Sequence, residues 1–159
     1  MSTKTIICGS PREEGRSIEL AQSIFEAAIA EDPESCATLI TLFDLDINGC
    51  LGCNSCKGTC SCVIDDDMQP IYEYINDSDE IVIVSPVYMA GVPSQLKALL
   101  DRLQPYFWSD ARNGELRSAS VHLLGDGHDP FGSEGAVLTI KSALLVAGFE
   151  VRDVKLYID

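Results

Sequence analysis

The 159-residue sequence contains no apolar run of the about eighteen residues that are needed to span a bilayer. It is also poor in positive charge, because eleven scattered Lys and Arg residues stand against 25 Asp and Glu residues. The resulting formal net charge of −14 repels nucleic acid and anionic membrane surfaces, so we expect neither as a partner. No signal-peptide pattern precedes the first strand-like run, and we therefore expect a soluble, cytoplasmic protein.

The seven cysteines do not form the even set that is typical of a disulfide framework. Five of them lie between Cys50 and Cys62, in a chain without a secretory signal. Clustered cysteines in such a chain indicate metal binding or redox chemistry. Cys8 and Cys36 lie in strand-like segments and are interpreted as small buried hydrophobic residues.

Apolar segments and helical periodicities alternate along the chain. Strand-like segments occur at 4–8, 36–45, 80–85, 121–124 and 151–158. Between them, apolar residues at helical spacing predict helices from Ser17 as N-cap to Pro33, over 68–75, from Pro93 to Pro105, and over 137–147. This β-α alternation predicts an α/β domain over 1–159, with a cysteine-rich loop at 48–64. We expect a five-stranded parallel sheet in the order 2-1-3-4-5, between two layers of helices.

In that topology the loops after the first, third and fourth strands meet at one edge of the sheet. The first loop, at 9–17, is rich in Gly and Ser and opens a helix, which suits a phosphate group. It matches neither the Gly-Lys-Ser/Thr of a P-loop nor G-x-G-x-x-G. The second loop, at 85–93, combines an aromatic residue with two prolines and forms a platform for a planar ring. The third, at 125–128, has two glycines that permit close approach to a ligand.

Three strings in this sequence resemble the NAD(P)H-dependent FMN reductases, and within them the iron–sulfur flavoproteins. They are Gly-Ser-Pro-Arg at 9–12, Asp-Asp-Met at 66–68, and Ser-Pro-Val-Tyr at 85–88 followed by Pro-Ser-Gln-Leu-Lys-Ala-Leu-Leu-Asp-Arg at 93–102. The resemblance covers nearly the whole chain. It implies a flavodoxin-like fold, FMN as cofactor, NAD(P)H as electron donor, and assembly into homodimers or tetramers.

The resemblance also implies which residues contact FMN. Ser10, Arg12 and Ser17 would hold the phosphate. The isoalloxazine ring would be bordered by Pro86, Val87, Tyr88 and Met89, and its third side closed by Gly125, Asp126 and Gly127. Glu13 and Glu14 bring negative charge near the phosphate, so either they point to solvent or FMN binds weakly.

The cysteine loop allows several interpretations. Cys50, Cys53 and Cys56 are spaced to share one metal centre, and either Cys60 or Cys62 is within reach as a fourth ligand. With Cys60 as the fourth ligand, the set has a ferredoxin-like spacing. With Cys62 as the fourth ligand, it has the spacing of the iron–sulfur flavoproteins. We therefore favour a 4Fe-4S cluster on Cys50, Cys53, Cys56 and Cys62, with zinc or free thiols as the alternatives.

The function that we expect is an FMN-dependent oxidoreductase that takes electrons from NAD(P)H and passes them to a small-molecule or protein acceptor. The flavin carries this chemistry, so no side chain is assigned a catalytic role. Alternatives are an electron carrier between proteins and a non-catalytic FMN- or metal-binding module. A low-molecular-weight phosphatase is excluded, because Glu14 stands where a Cys-x5-Arg loop starting at Cys8 requires arginine.

Overall fold

The strands form one parallel sheet. A computed structural model describes residues 2–159 and contains β1 (Thr3–Cys8), β2 (Cys36–Thr41), β3 (Glu80–Pro86), β4 (Arg117–Gly125) and β5 (Phe149–Ile158). All neighbouring strands pair in parallel, in the order β2-β1-β3-β4-β5. The α/β class and the strand order expected from the sequence are confirmed.

Helices connect the successive strands. They are α1 (Arg16–Glu31), α2 (Met68–Asp77), α3 (Ser94–Asp101), α4 (Gln104–Phe107) and α5 (Glu134–Val146), with short 3-10 turns at Leu42–Asp44 and Ser55–Lys57. None of the helices within residues 2–159 is long and apolar enough to cross a membrane.

Several predicted boundaries are wrong. The second strand ends at Thr41 rather than Leu45, because the chain turns into the 3-10 segment that buries Leu42. The helix predicted from Pro93 to Pro105 stops at Asp101. It cannot continue as one helix, because the Pro105 ring would clash with the backbone carbonyl of Asp101, four residues earlier. Pro105 instead lies in the first turn of α4, where a missing N–H is tolerated. Ser17 is not the N-cap of α1, since Gly15 holds that position.

The two faces of the sheet are covered unequally. On one face α2, α3 and α5 bury the larger core, in which Ile71, Leu99 and Ile140 are at most 2% exposed. On the other face the smaller core contains Ile18 and Ala21 of α1, the one helix between residues 2 and 159 that contributes to it. Beyond α1 this face carries polar side chains, including a His122 ring nitrogen 2.9 Å from the Tyr157 hydroxyl.

Backbone hydrogen bonds hold the carboxyl ends of the strands together. Gly9 N–H donates to the Val84 carbonyl at 2.8 Å, and Val87 N–H donates to the Leu124 carbonyl at 2.9 Å. These bonds cross from β1 to β3 and from β3 to β4, directly where the three loops begin. The loops therefore leave the sheet from a rigid edge, which fixes their relative positions.

Candidate functional site

A cavity of about 580 Å³ lies at the carboxyl ends of β1, β3 and β4. Nine of the ten residues expected to contact a cofactor line it: Ser10, Arg12, Ser17, Pro86, Val87, Tyr88, Gly125, Asp126 and Gly127. The tenth, Met89, does not line it and is 96% exposed. The fold thus brings together three segments that are separated by up to about a hundred residues in the sequence, as the topology requires.

The N-terminus of α1 forms one end of this cavity. Gly15 is the N-cap, with φ of 133°, and no side chain caps the helix. The first N–H groups of a helix have no intrahelical partner, so the amides of this turn are free to bind an anion. Ser17, in the first turn, and Ser10, at the end of β1, are each only 6% exposed and line the same space. Ser10 Oγ accepts a 3.2 Å bond from Arg12 N–H, which leaves its own hydroxyl proton to donate.

The charges around this end are mixed. Glu14 lines the cavity whereas Glu13 does not, so the two neighbouring carboxylates differ in their environment. Arg16 also lines it, but its guanidinium is paired with Asp159 at 2.6 Å. An anion here would therefore depend mainly on amides, hydroxyls and Arg12.

The loop after β3 is a tight hairpin. Tyr88 and Gly91 exchange both backbone hydrogen bonds, at 3.0 and 2.9 Å. The two residues between them, Met89 and Ala90, have φ of 51° and 59°, a left-handed conformation that non-glycine residues seldom adopt. The Ala90 carbonyl accepts a 2.9 Å bond from Ala136 N–H in α5, which holds the turn in place. This turn directs Met89 into solvent and leaves Pro86, Val87 and Tyr88 facing the cavity.

The loop after β4 closes the third side. Gly127 has φ of 74°, and a Cβ there would lie 2.9 Å from Ile158 Cγ2 and 3.1 Å from the Asp159 carbonyl. The position therefore requires glycine for both conformation and space. The sequence did not reveal further lining residues from this loop and the end of β5, because they follow no motif. They are Leu124, Asp129, Gly132, Ser133 and Ile158.

The cysteine loop surrounds a second, smaller cavity of about 270 Å³. Cys50, Cys53, Cys56 and Cys62 all line it, together with Arg102 of the α3–α4 connection. Cys60 lies outside it and faces a neighbouring cavity. Between residues 2 and 159, however, no three His, Cys, Asp or Glu side chains converge closely enough to hold a metal ion. Thiolates around a single zinc ion would lie about 3.8 Å apart, so the loop is more open than a zinc site.

The thiols in this loop have different environments. Burial raises the pKa of the Cys56 thiol, and the charges of Cys62 and Cys50 raise it further, whereas the Trp108 indole N–H lowers it. Cys53 is exposed, and its Sγ lies 3.3 Å from the Ser55 hydroxyl, which lowers the pKa of that thiol.

A buried ion pair closes the base of the cysteine loop. Arg102 donates to both carboxylate oxygens of Asp66, at 2.7 and 3.0 Å, and also to the carbonyls of Asn48 and Ile64. Burial would raise the pKa of Asp66, but the bonds from Arg102 and from the amides of Asn48 and Met68 hold it well below its usual range. Asn48 and Ile64 flank the loop, so this pair ties its two ends together.

Comparison with known proteins agrees with this architecture. The structure is similar to an NAD(P)H:quinone oxidoreductase from Methanothermobacter marburgensis, with a TM-score of 0.73 at 16% identity, over 99% of this chain and 83% of the other. It is also similar to an azoreductase from Bacillus anthracis, with a TM-score of 0.70 at 13% identity, over 99% and 86% of the two chains. The fold and its strand-end cavity place the protein in the flavodoxin-like class.

A model of the family described as NADPH-dependent FMN reductase matches residues 4–158. The chain therefore belongs to this family, as the sequence resemblance indicated. It is 41% identical over 99 residues to an iron-sulfur flavoprotein of Methanocaldococcus jannaschii, covering 62% of this chain and 50% of that protein. It is 32% identical over 123 residues to an iron-sulfur flavoprotein of Archaeoglobus fulgidus, covering 76% and 54%. The chain spans about half the length of these curated relatives.

Proposed function

We propose that the protein is an FMN-dependent oxidoreductase that takes electrons from NAD(P)H and passes them to a small-molecule or protein acceptor. The observation that carries this proposal is the cavity of about 580 Å³, with an uncapped helix N-terminus at one end and a rigid Pro86–Tyr88 edge at the other. A phosphate at one end and a planar ring at the other match these two environments, so the residues present fit FMN.

Each part of the cavity has a separate task in this proposal. Ser10, Ser17 and the first amides of α1 hold the phosphate, with Arg12 as the nearby cation. Pro86, Val87 and Tyr88 border the ring and exclude water from one side of it. Gly127 keeps the third loop packed against the end of β5 beside the ring, because any side chain there would clash with Ile158. FMN itself, when bound, supplies the exchange of electrons with the nicotinamide nucleotide.

Binding and turnover experiments test this function in order. Adding FMN to the purified protein should quench the flavin fluorescence with micromolar affinity, and the complex should oxidise NADH or NADPH in the presence of a quinone or free flavin. Failure to bind FMN would contradict the proposal as a whole. Binding without nucleotide oxidation would instead identify a non-catalytic flavin module.

We further propose that Cys50, Cys53, Cys56 and Cys62 hold a 4Fe-4S cluster. These four thiols share one cavity, and two buried N–H groups without acceptors, Arg102 Nε and Trp108 Nε1, lie beside it. The sulfur atoms of an iron–sulfur cluster accept such hydrogen bonds. The four cysteines and the two N–H groups beside them therefore fit a cluster. The cluster would supply one-electron transfer when present. Iron and sulfide analysis of anaerobically purified protein tests this, with zinc or free thiols as the opposing results.

Assembly into a homodimer or tetramer also remains a proposal. Met89 and Phe131, which adjoin lining residues of the larger cavity in sequence, are 96% and 81% exposed. Exposed apolar side chains of this size beside a cavity favour coverage by a second copy of the chain. Sedimentation at several protein concentrations should show a species larger than the 17.2 kDa monomer, and a monomer at all concentrations would contradict it.

A further inference from the structure

Two buried N–H groups beside the cysteine loop have no hydrogen-bond acceptor. They are Nε of Arg102 and Nε1 of Trp108, two groups on different segments that face different cysteines of the same loop. Proteins rarely leave buried donors unpaired, and the exceptions commonly mark a redox site or a bound group. The coincidence of two such donors beside the same four thiols therefore makes sulfur the nearest candidate acceptor.

The position of Arg102 is fixed by its other contacts. The residue is 1% exposed, and its two terminal nitrogens are engaged by Asp66 and by the carbonyls of Asn48 and Ile64. The guanidinium plane cannot turn without breaking these bonds. Its Nε–H remains unpaired while the side chain lines the cavity that Cys62 also lines.

Trp108 is held in a comparable way. The Lys57 ammonium lies over its ring at 5.3 Å from the centroid, and the Phe107 ring meets it edge-on at 5.1 Å. These contacts orient the indole so that its buried N–H lies on the side of Cys56, which is itself 9% exposed. Both donors are therefore in place before any metal centre forms.

We propose that Arg102 Nε–H and Trp108 Nε1–H donate hydrogen bonds to the sulfur atoms of the cluster at Cys62 and Cys56, and that they raise its reduction potential. This inference rests on the proposed cluster. Reduction adds one electron and increases the negative charge on the sulfurs, so a donor stabilises the reduced form more than the oxidised form. Arg102 and Trp108 are positioning residues in this arrangement, because neither binds iron.

The test uses Trp108→Phe, which keeps an aromatic ring beneath Lys57 but removes the N–H together with part of the indole ring. Iron and sulfide content should equal that of the wild type. The midpoint potential, measured by EPR-monitored titration, should become more negative by about 59 mV, equivalent to a tenfold smaller constant for one-electron reduction. Tyr106→Phe is the matched control, because its hydroxyl donates to Asn76 Oδ1 at 2.8 Å and not to a thiol. That control should leave the potential unchanged.

A second measurement detects the bond directly. The chain has one tryptophan, so ¹⁵N-labelled indole places a single label at Trp108. Pulsed EPR of the reduced cluster in the labelled protein should show coupling to this nitrogen. Arg102→Lys, which keeps the charge and removes Nε–H, should shift the potential in the same direction as Trp108→Phe.

The outcomes separate the two proposals. Iron-containing protein without ¹⁵N coupling, and with an unchanged potential in Trp108→Phe, overturns the hydrogen-bond inference and leaves the cluster in place. Wild-type protein without iron after anaerobic, iron-replete expression overturns both.

Discussion

Arg102 and Asp66 form a bidentate ion pair, at 2.7 and 3.0 Å, whose side chains are 0% and 3% exposed. The pair joins the α3–α4 connection to the end of the cysteine loop, and Arg102 also binds the carbonyls on both sides of that loop. Burial of two charges is tolerated only when the charges are paired with each other. The stability of the fold and the shape of the cysteine loop therefore depend on the same four hydrogen bonds.

The first prediction concerns removal of the carboxylate. Asp66→Asn leaves the buried Arg102 guanidinium without its counter-charge and should lower the free energy of unfolding by about 3–5 kcal/mol. Urea unfolding followed by circular dichroism measures this. Asp65→Asn alters the exposed neighbouring residue and should change stability by less than about 0.5 kcal/mol. Equal effects of the two substitutions would contradict the importance of the pair.

The second prediction concerns pH. The pKa of Asp66 is lower in the folded protein than in the unfolded chain, where it is about 3.9. Its contribution to stability is therefore complete above about pH 4 and is lost as the pH falls further, because the unfolded chain then binds the proton more readily. Unfolding of the protein without cofactors should show a steeper loss of stability below pH 4 in the wild type than in Asp66→Asn. If the stability of the wild type and of Asp66→Asn fell in parallel with pH, the ionised Asp66 carboxylate would not be the source of this pH dependence.

Much of the fold follows from local patterns in the sequence. Ile81 to Val84 are fully apolar and become the central strand, and the Gly/Ser segment before α1 becomes the wall of the main cavity. The start of β4 at Arg117 was missed, because Arg117, Ser118 and Ser120 carry no apolar pattern. Ser118 and Ser120 are recruited by pairing with β3, whereas Arg117 pairs with Phe149 of β5 and donates to carbonyls at the end of α2. Such long-range contacts leave no trace in a local window.

In the candidate sites, too, some features follow from local sequence patterns and others depend on long-range contacts. The position of Ser10 after a buried strand was enough to place it at the cavity, whereas the outward turn of Met89 depends on a hairpin with two left-handed residues. Arg102 was not recognised as a buried residue, because a charged side chain in a helical segment is ordinarily exposed. Its partner Asp66 lies 36 residues earlier, and nothing in a single sequence links the two.

The third prediction addresses the phosphate end of the cavity. Replacing both Ser10 and Ser17 by Ala should weaken FMN binding by about 1–3 kcal/mol, the usual cost of lost hydrogen bonds to a charged group. Riboflavin, which lacks the phosphate, should bind the variant almost as it binds the wild type. Ser23→Ala, on the exposed side of α1, is the control and should affect neither ligand. Equal losses for both flavins would place the phosphate elsewhere.

The fourth prediction uses the two adjacent carboxylates. Glu14 lines the cavity and repels a bound phosphate, whereas Glu13 does not line it. Glu14→Gln should therefore tighten FMN binding by about two- to fivefold at low ionic strength, with a smaller effect in high salt. Glu13→Gln should have a clearly weaker effect. Fluorescence titration of both variants with FMN decides this, and a larger gain for Glu13→Gln would refute the assignment.

The fifth prediction distinguishes the cysteines. Cys60 lies outside the cavity that Cys50, Cys53, Cys56 and Cys62 share, although it is only two residues from Cys62. Its φ of 54° and the 2.8 Å bond from its N–H to the Cys56 carbonyl hold it in a turn that faces the neighbouring cavity. Anaerobic Cys60→Ser protein should therefore keep about four iron atoms per chain, while Cys56→Ser should lose the cluster. Flavin content serves as the folding control, because the proposed FMN site is the other cavity and both variants should bind FMN equally. Iron lost in Cys60→Ser and retained in Cys62→Ser would show that the cluster is held by the ferredoxin-like spacing instead.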